Sequence, residues 1–337
     1  MSSAIDQGGL ILLYHRVTTP ETDPQLLAVS PEHFAAHLDV LKRLARPTAL
    51  ADMVAAARGG GDPRGAVAVT FDDGYADNLL SAKPILERAG VPATVFVATG
   101  GIGAAGEFFW DDLDRIFLQP GRLPARVRVQ VGSTAYQADL DGAADYPADR
   151  AARYRAWNVT AAEDPTPRHR AYRELCSLIH TATTVQRHDA LRQVHEWSGM
   201  GSAGRPSHRM MTAVELRELV DGGPIEIGGH TVSHPLLSAE TPGYQRREIA
   251  QGKAALEAAL GRPVQSFAYP FGGRRDYTGD SVAAVRDADF TYACSNFPGV
   301  VTPDTDPFQL PRVLVRDWSA DEFRAGLERW LAGHRNG

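Results

Sequence analysis

Short, mainly apolar runs alternate along this chain with stretches in which apolar residues recur every three or four positions. The apolar runs are Leu10–Tyr14, Ala66–Phe71, Ala93–Thr99, Pro224–Ile227, Val264–Tyr269, Thr291–Ala293 and Val313–Val315. Continuous apolar character with β-branched residues predicts strands buried on both faces. Between them lie helix signals. Ser30 followed by Pro31 reads as an N-cap with proline in the first turn, and Phe34, Leu38, Leu41 and Leu44 supply an apolar face. A second helix is predicted over Leu50–Arg58, stopped by Gly59, Gly60 and Gly61, and a third over Asp77–Arg88, broken near Pro84 and closed by Gly90. Thr212 with Glu215, and Ser319 with Glu322, form capping boxes. A long helix is predicted over Pro242–Leu260, ended by Gly261, and a short one over Ser281–Asp287.

Strands that alternate with helices imply a parallel sheet joined by crossovers. The expected fold is α/β, a distorted barrel of about seven strands, with an open doubly wound sheet as the alternative. The expected organisation is a single barrel domain over 1–337 with an insertion at 101–210. That segment breaks the rhythm: Phe108, Phe109 and Trp110 cluster, Val127–Val131 alternates like a small exposed strand, and the rest is mostly helical in pattern. It is too long for a plain loop. It serves either as a substrate-shaping cap or as a surface embellishment; Trp110 either stacks on a substrate or anchors the insertion. Asp111 and Asp112 are expected to cap the following helix.

Composition narrows the functional class. Of 337 residues, 43% are hydrophobic and 23% charged, which permits a sizeable core. The net charge of -6 argues against a broad grip on nucleic acid or anionic lipid. No run approaches the ~20 apolar residues of a membrane helix. The expectation is a cytoplasmic protein with no transmembrane segment, peripheral membrane contact remaining open. Cys176 and Cys294 are far apart, lie in no C-x-x-C pattern and are expected to be buried thiols. No glycine-rich phosphate loop follows a strand.

Three features carry chemistry. Asp72 and Asp73, in Thr70-Phe71-Asp72-Asp73-Gly74, end a buried strand, where paired anions need a cation or hydrogen-bond donors. His230 and His234, in His230-Thr231-Val232-Ser233-His234-Pro235, follow another strand, and a turn-like backbone brings both imidazoles to one side. Two imidazoles with a carboxylate suit zinc and similar divalent ions, and leave positions open for water and substrate. His15 ends the first strand. On a barrel, all of these residues fall on one rim, past the C-terminal ends of the strands.

These residues resemble the first two motifs of the polysaccharide deacetylase family (carbohydrate esterase family four), and Tyr269-Pro270-Phe271-Gly272 resembles a bacterial form of the third. The resemblance implies a distorted barrel that removes N-acetyl groups from glycans with a divalent metal, zinc foremost. It implies Asp73, His230 and His234 as metal ligands and Asp72 as general base. The Leu-x-His-Asp motif that usually supplies the general acid is missing; the only late histidine is His334. Leu13-Tyr14-His15 is similar to the circularly permuted members that carry this histidine on an N-terminal strand, so His15 takes the acid role. The arginine that steadies the base in the third motif is also missing. Arg312 is the candidate substitute, with a salt bridge at a strand start as the alternative. Tyr269, Pro270, Phe271, Arg312 and Trp110 are the expected substrate contacts. The implied partner is an N-acetylated amino sugar, glycan or glycolipid precursor. Hydrolysis of another C–N amide, of the deformylase or cyclic ureide type, and an inactive carbohydrate-binding relative are the alternatives.

Overall fold

The computed structural model describes residues 8–332, so His334 lies outside the described residues. The chain divides into two compact units. One comprises residues 8–19, 27–103 and 210–332; the other comprises 20–26 and 104–209.

The first unit is built on seven parallel strands: β1 (Leu10–Tyr14), β2 (Ala66–Phe71), β3 (Ala93–Val97), β4 (Ile225–Gly229), β5 (Ser266–Ala268), β6 (Tyr292–Cys294) and β7 (Val313–Leu314). Their spatial order is β6-β5-β4-β3-β2-β1-β7, with the two-residue strand Arg46–Pro47 also pairing with β2. The sheet curls into the distorted barrel that the alternating pattern predicts. The segment just before β7 narrows the gap between its edges. Leu310 bridges to Cys294, the last residue of β6, and three residues later Val313 pairs with Leu12 of β1.

Alternate residues of each strand enter different cores, which is why the strands read as continuous apolar runs. Leu10, Leu12, Tyr14, Val67, Val69 and Phe71 pack toward the surrounding helices with Phe34, Leu38 and Leu41. Ile11, Ala66, Ala68, Phe96, Ala268 and Cys294 form a separate cluster with Leu310.

The helices start where the capping signals lie. Ser30 caps Pro31–Leu44, and full capping boxes open Ala213–Val220 and Ala320–Leu331. The helix Pro242–Leu260 ends at Gly261 in the left-handed region. The helix expected over Asp77–Arg88 is instead a π-turn, Asn78–Ala82, followed by an α-helix, Lys83–Ala89. Pro84 is the reason: it has no N–H to donate one turn back, so the ladder widens before it and restarts.

The second unit contains helices Phe109–Phe117, Ala148–Tyr154, Pro167–His180 and Thr184–Ser198. Val127–Val131 lies in an antiparallel hairpin, Arg126–Val131 with Thr134–Asp139. Asp111 and Asp112 sit inside the first turn of Phe109–Phe117 and do not cap it. Asp112 instead receives Arg115 and His195, each at 2.5 Å. Among the described residues no helix is long and apolar enough to cross a membrane. Both cysteines are buried and free.

Candidate active site

Strand register gathers the polar residues onto one rim. Tyr14 of β1 is level with Phe71 of β2, so His15 and Asp72 leave the sheet side by side. Gly229 of β4 is level with Val97 of β3 and with Phe267 of β5, which brings His230 to the same end. Backbone bonds from Asp72 N to Tyr14 O (3.0 Å), Ala98 N to Asp73 O (3.2 Å) and His230 N to Val97 O (3.1 Å) extend the ladder just past the strand ends.

Asp73, His230 and His234 are 1–3% exposed. One donor atom from each lies within 4.8 Å of the others. His230 Nδ1 donates to the Ala268 carbonyl at 2.7 Å, which leaves its Nε2 carrying a lone pair. That Nε2 faces Asp73 Oδ1 at 3.7 Å, and His234 Nε2 is 3.3 Å from the same oxygen. A lone pair aimed at a carboxylate oxygen beyond hydrogen-bond range is unfavourable unless a cation lies between them. Ligands of a tetrahedral zinc, with bonds of ~2.0–2.1 Å, stand roughly 3.3 Å apart. The donor set therefore fits a divalent ion. Burial pushes the His230 imidazolium down to about 4, against the opposing pull of Asp72. The ring is thus neutral near pH 7, as a metal ligand must be. Burial raises the Asp73 carboxyl, partly offset by His15 and His230.

The backbone here is strained. Asp73, Thr231, His234 and Phe271 have φ of 75°, 67°, 52° and 60°. Asp and His tolerate this region better than most residues, but β-branched Thr231 and bulky Phe271 are outliers. Such strain persists only where the surroundings over-determine it, and it clusters at functional sites. Gly74 follows at φ 89°, with space so tight that a Cβ would lie 2.9 Å from Val97 Cγ1.

Asp72 borders this triad without belonging to it, its Oδ2 being 4.0 Å from His230 Nε2. Arg312 grips it bidentately, Nη1 to Oδ1 and Nη2 to Oδ2, both at 2.7 Å. The guanidinium is itself fixed by Nε donating to Ser295 O at 2.7 Å. Burial raises the Asp72 carboxyl, but Arg312 and His230 outweigh it and the net shift is downward. Arg312 is 1% exposed and contacts the carboxylate, so the expectation that it touches substrate is corrected. His15 is half-buried and its carbonyl accepts from Asn78 Nδ2 at 2.9 Å. Burial lowers its imidazolium, while Asp73 and Asp72 pull the other way.

The third motif divides. Phe271 is half-buried and its ring meets His234 edge-on at 4.7 Å. Tyr269 is fully buried, stacks on Tyr277 at 4.0 Å and donates to Phe308 O at 3.0 Å. Its side chain is core, which corrects the expectation that Tyr269 touches substrate; Pro270 beside it is buried. Trp110 belongs to the second unit, where it stacks on Phe108 at 4.6 Å. Glu248 escaped the sequence reading. It is buried and accepts from Val232 N, Ser233 N and Ser233 Oγ at 3.0, 2.8 and 3.0 Å. The available signal was the helical spacing that puts Gln245, Glu248 and Gly252 on one buried face with Ile249 and Leu256.

A barrel rim with a buried His-His-Asp triad and a second, arginine-held aspartate is the arrangement that comparison with known proteins assigns to a family. The polysaccharide deacetylase family model matches residues 59–121 and 185–293, just over half of the chain. The chain belongs to the polysaccharide deacetylase family. No curated protein matches it in sequence. Among solved structures, IcaB from Ammonifex degensii is 19% identical over 97% of each chain, with a TM-score of 0.58. The Streptococcus pyogenes deacetylase PplD in complex with acetate is 17% identical over 94% of this chain and 96% of its own, with a TM-score of 0.55. The de-N-acetylase from Aggregatibacter actinomycetemcomitans is 14% identical over 94% and 100%, also at 0.55. At these identities the likeness shows a shared fold.

Proposed function

We propose that this chain is a metal-dependent hydrolase that removes an N-acetyl group from an amino sugar, either free or within a glycan or glycolipid precursor. The observation that carries this reading is the buried Asp73, His230 and His234 set beside an aspartate fixed by Arg312. The acetyl group is supported by similar structures named a deacetylase bound to acetate and a de-N-acetylase.

Asp73, His230 and His234 would hold the ion, with zinc the best match to two imidazoles and a carboxylate. A divalent ion bound there supplies Lewis-acid polarisation of the amide carbonyl and a more acidic water. Asp72 takes a proton from the attacking water. Each of its oxygens has a second lone pair besides the one that Arg312 occupies, so the grip orients the carboxylate without blocking it. His15, beside Asp72 on the rim, hands a proton to the departing amine, which is otherwise a poor leaving group. Phe271 lines the approach to His234. The catalytically inactive alternative would lack a ligand, a base or an acid; candidates for all three are in place.

The test pairs metal content with acetate release from a panel of N-acetylated sugars, for wild type, Asp73→Ala and Asp72→Asn. Wild type is expected to hold about one divalent ion and to release acetate. Asp73→Ala should lose both, and Asp72→Asn should keep the ion and lose turnover. If loaded wild type binds no ion, the reading is wrong. If the ion binds and no sugar releases acetate, the substrate assignment fails.

A further inference from the structure

The loop that carries both histidines has no regular secondary structure of its own, and two of its residues, Thr231 and His234, are in the left-handed region. Left alone, such a loop would relax. One helix, Pro242–Leu260, backs it from behind through two residues spaced i and i+4, which therefore lie on one face. The carboxylate of Glu248 collects the N–H groups of Val232 and Ser233 and the hydroxyl of Ser233. One turn later, Gly252 lets the helix backbone come directly against Thr231. A Cβ at Gly252 would lie 2.9 Å from both the carbonyl carbon and the carbonyl oxygen of Thr231. Inside the loop, Thr231 Oγ1 accepts from His234 N at 3.1 Å, so the displacement of Thr231 is passed on to the second histidine.

We infer that Glu248 and Gly252 are positioning residues of the metal centre. Their contacts fall on Thr231, Val232 and Ser233, the three residues between the two imidazoles. They fix the separation and aim of His230 and His234 toward Asp73, and so set how tightly the site binds its ion. The inference rests on the reading of Asp73, His230 and His234 as metal ligands. A carboxylate that gathers backbone donors supplies two things at once: it satisfies N–H groups the loop cannot pair internally, and it selects the strained conformer over its relaxed competitors. Gly252 adds a steric stop that no larger residue provides.

The experiment measures zinc dissociation constants by competition with a chromophoric chelator, and the melting temperature of the metal-free protein, for wild type, Glu248→Gln, Ser233→Ala and Gly252→Ala. Zinc binding is expected to weaken about 10–100-fold in Glu248→Gln, the usual effect of removing an outer partner of a ligand. Ser233→Ala removes one of three bonds and should weaken it less. Gly252→Ala is the discriminating variant, because alanine favours a helix over glycine. Weaker zinc binding in Gly252→Ala, with the metal-free melting temperature unchanged or higher, arises through Thr231 and supports the inference. Turnover lost at limiting zinc should return as zinc is raised. If the variants melt lower but bind zinc as wild type does, the two residues are merely structural and the inference is overturned. It is equally overturned if both affinity and melting temperature stay unchanged in Gly252→Ala and Ser233→Ala. Failure of the wild type to bind zinc would instead bring down the metal reading beneath it.

Discussion

At the scale of single residues, Arg312 and His37 lead to the sharpest expectations. Arg312 and Asp72 are buried opposite charges held at 2.7 Å by two parallel bonds. Removing one partner of such a pair leaves the other unpaired in a poorly solvated place, at a cost of about 3–5 kcal/mol. Arg312→Met should lose stability on that scale, read by urea unfolding, and should lose turnover as Asp72 loses its orientation. Arg312→Lys keeps the charge but not the fork, so it should fall between Met and wild type. A variant equally active and stable would show that Asp72 needs no such partner. His37 reports on pH. It is fully buried, with Nε2 donating to Trp318 O at 2.6 Å and Nδ1 accepting from the Tyr14 hydroxyl at 3.3 Å, a neutral tautomer with both nitrogens used. Burial lowers its pKa to about 4. The unfolded chain, near 6.5, then binds the proton first as pH falls. Stability should therefore be intact above pH 6.5 and decline toward pH 4, with His37 accounting for about 3 kcal/mol of the full loss. His37→Phe should flatten that slope in unfolding experiments run from pH 7 to pH 4; an unchanged slope would show that other groups carry it.

At the scale of elements, the turns past strand ends and the helix starts carry the architecture. The turn after β2 passes through Asp73 and Gly74, both at positive φ, with Gly74 pressed against Val97. Gly74→Ala should destabilise this turn and move Asp73, so it should lower both the melting temperature and metal affinity. A substitution that lowers neither would mean that Val97 yields easily. By contrast, the capping-box bonds between Thr212 and Glu215 are local to the first turn of a helix. Thr212→Ala should cost about 1 kcal/mol in urea unfolding and leave metal affinity unchanged. The contrast between the two variants separates strain at the site from ordinary helix capping.

At the scale of the molecule, metal and stability should be linked. An ion that binds only the folded chain stabilises it by about 2.7 kcal/mol at a hundred times its dissociation constant. Adding zinc to metal-free protein should raise the melting temperature, chelation should reverse this, and Asp73→Asn should abolish the response. A melting temperature indifferent to zinc and chelator in the wild type would remove the metal centre from the account of this protein.

Much of the fold was legible because its determinants are local. Leu10–Tyr14 and Ala66–Phe71 are apolar on both faces and are strands with those bounds. Leu50–Arg58 and Pro242–Leu260 carry their stop signals within one residue of their ends. The Asp72-Asp73-Gly74 and His230-to-His234 motifs were legible for the same reason, since each sits within one strand-to-turn step. What sequence alone determined is therefore the element order, the parallel β/α architecture and the donor groups available at the rim. Only the tertiary structure decided what those groups meet. Arg312 lies 240 positions from Asp72, Glu248 lies 15 and 16 from the loop it clamps, and Tyr269 differs from Phe271 only in which way the chain turns. Pairings of that kind depend on strand register and on close approach of backbones, properties of the packed sheet that no local pattern of residues encodes.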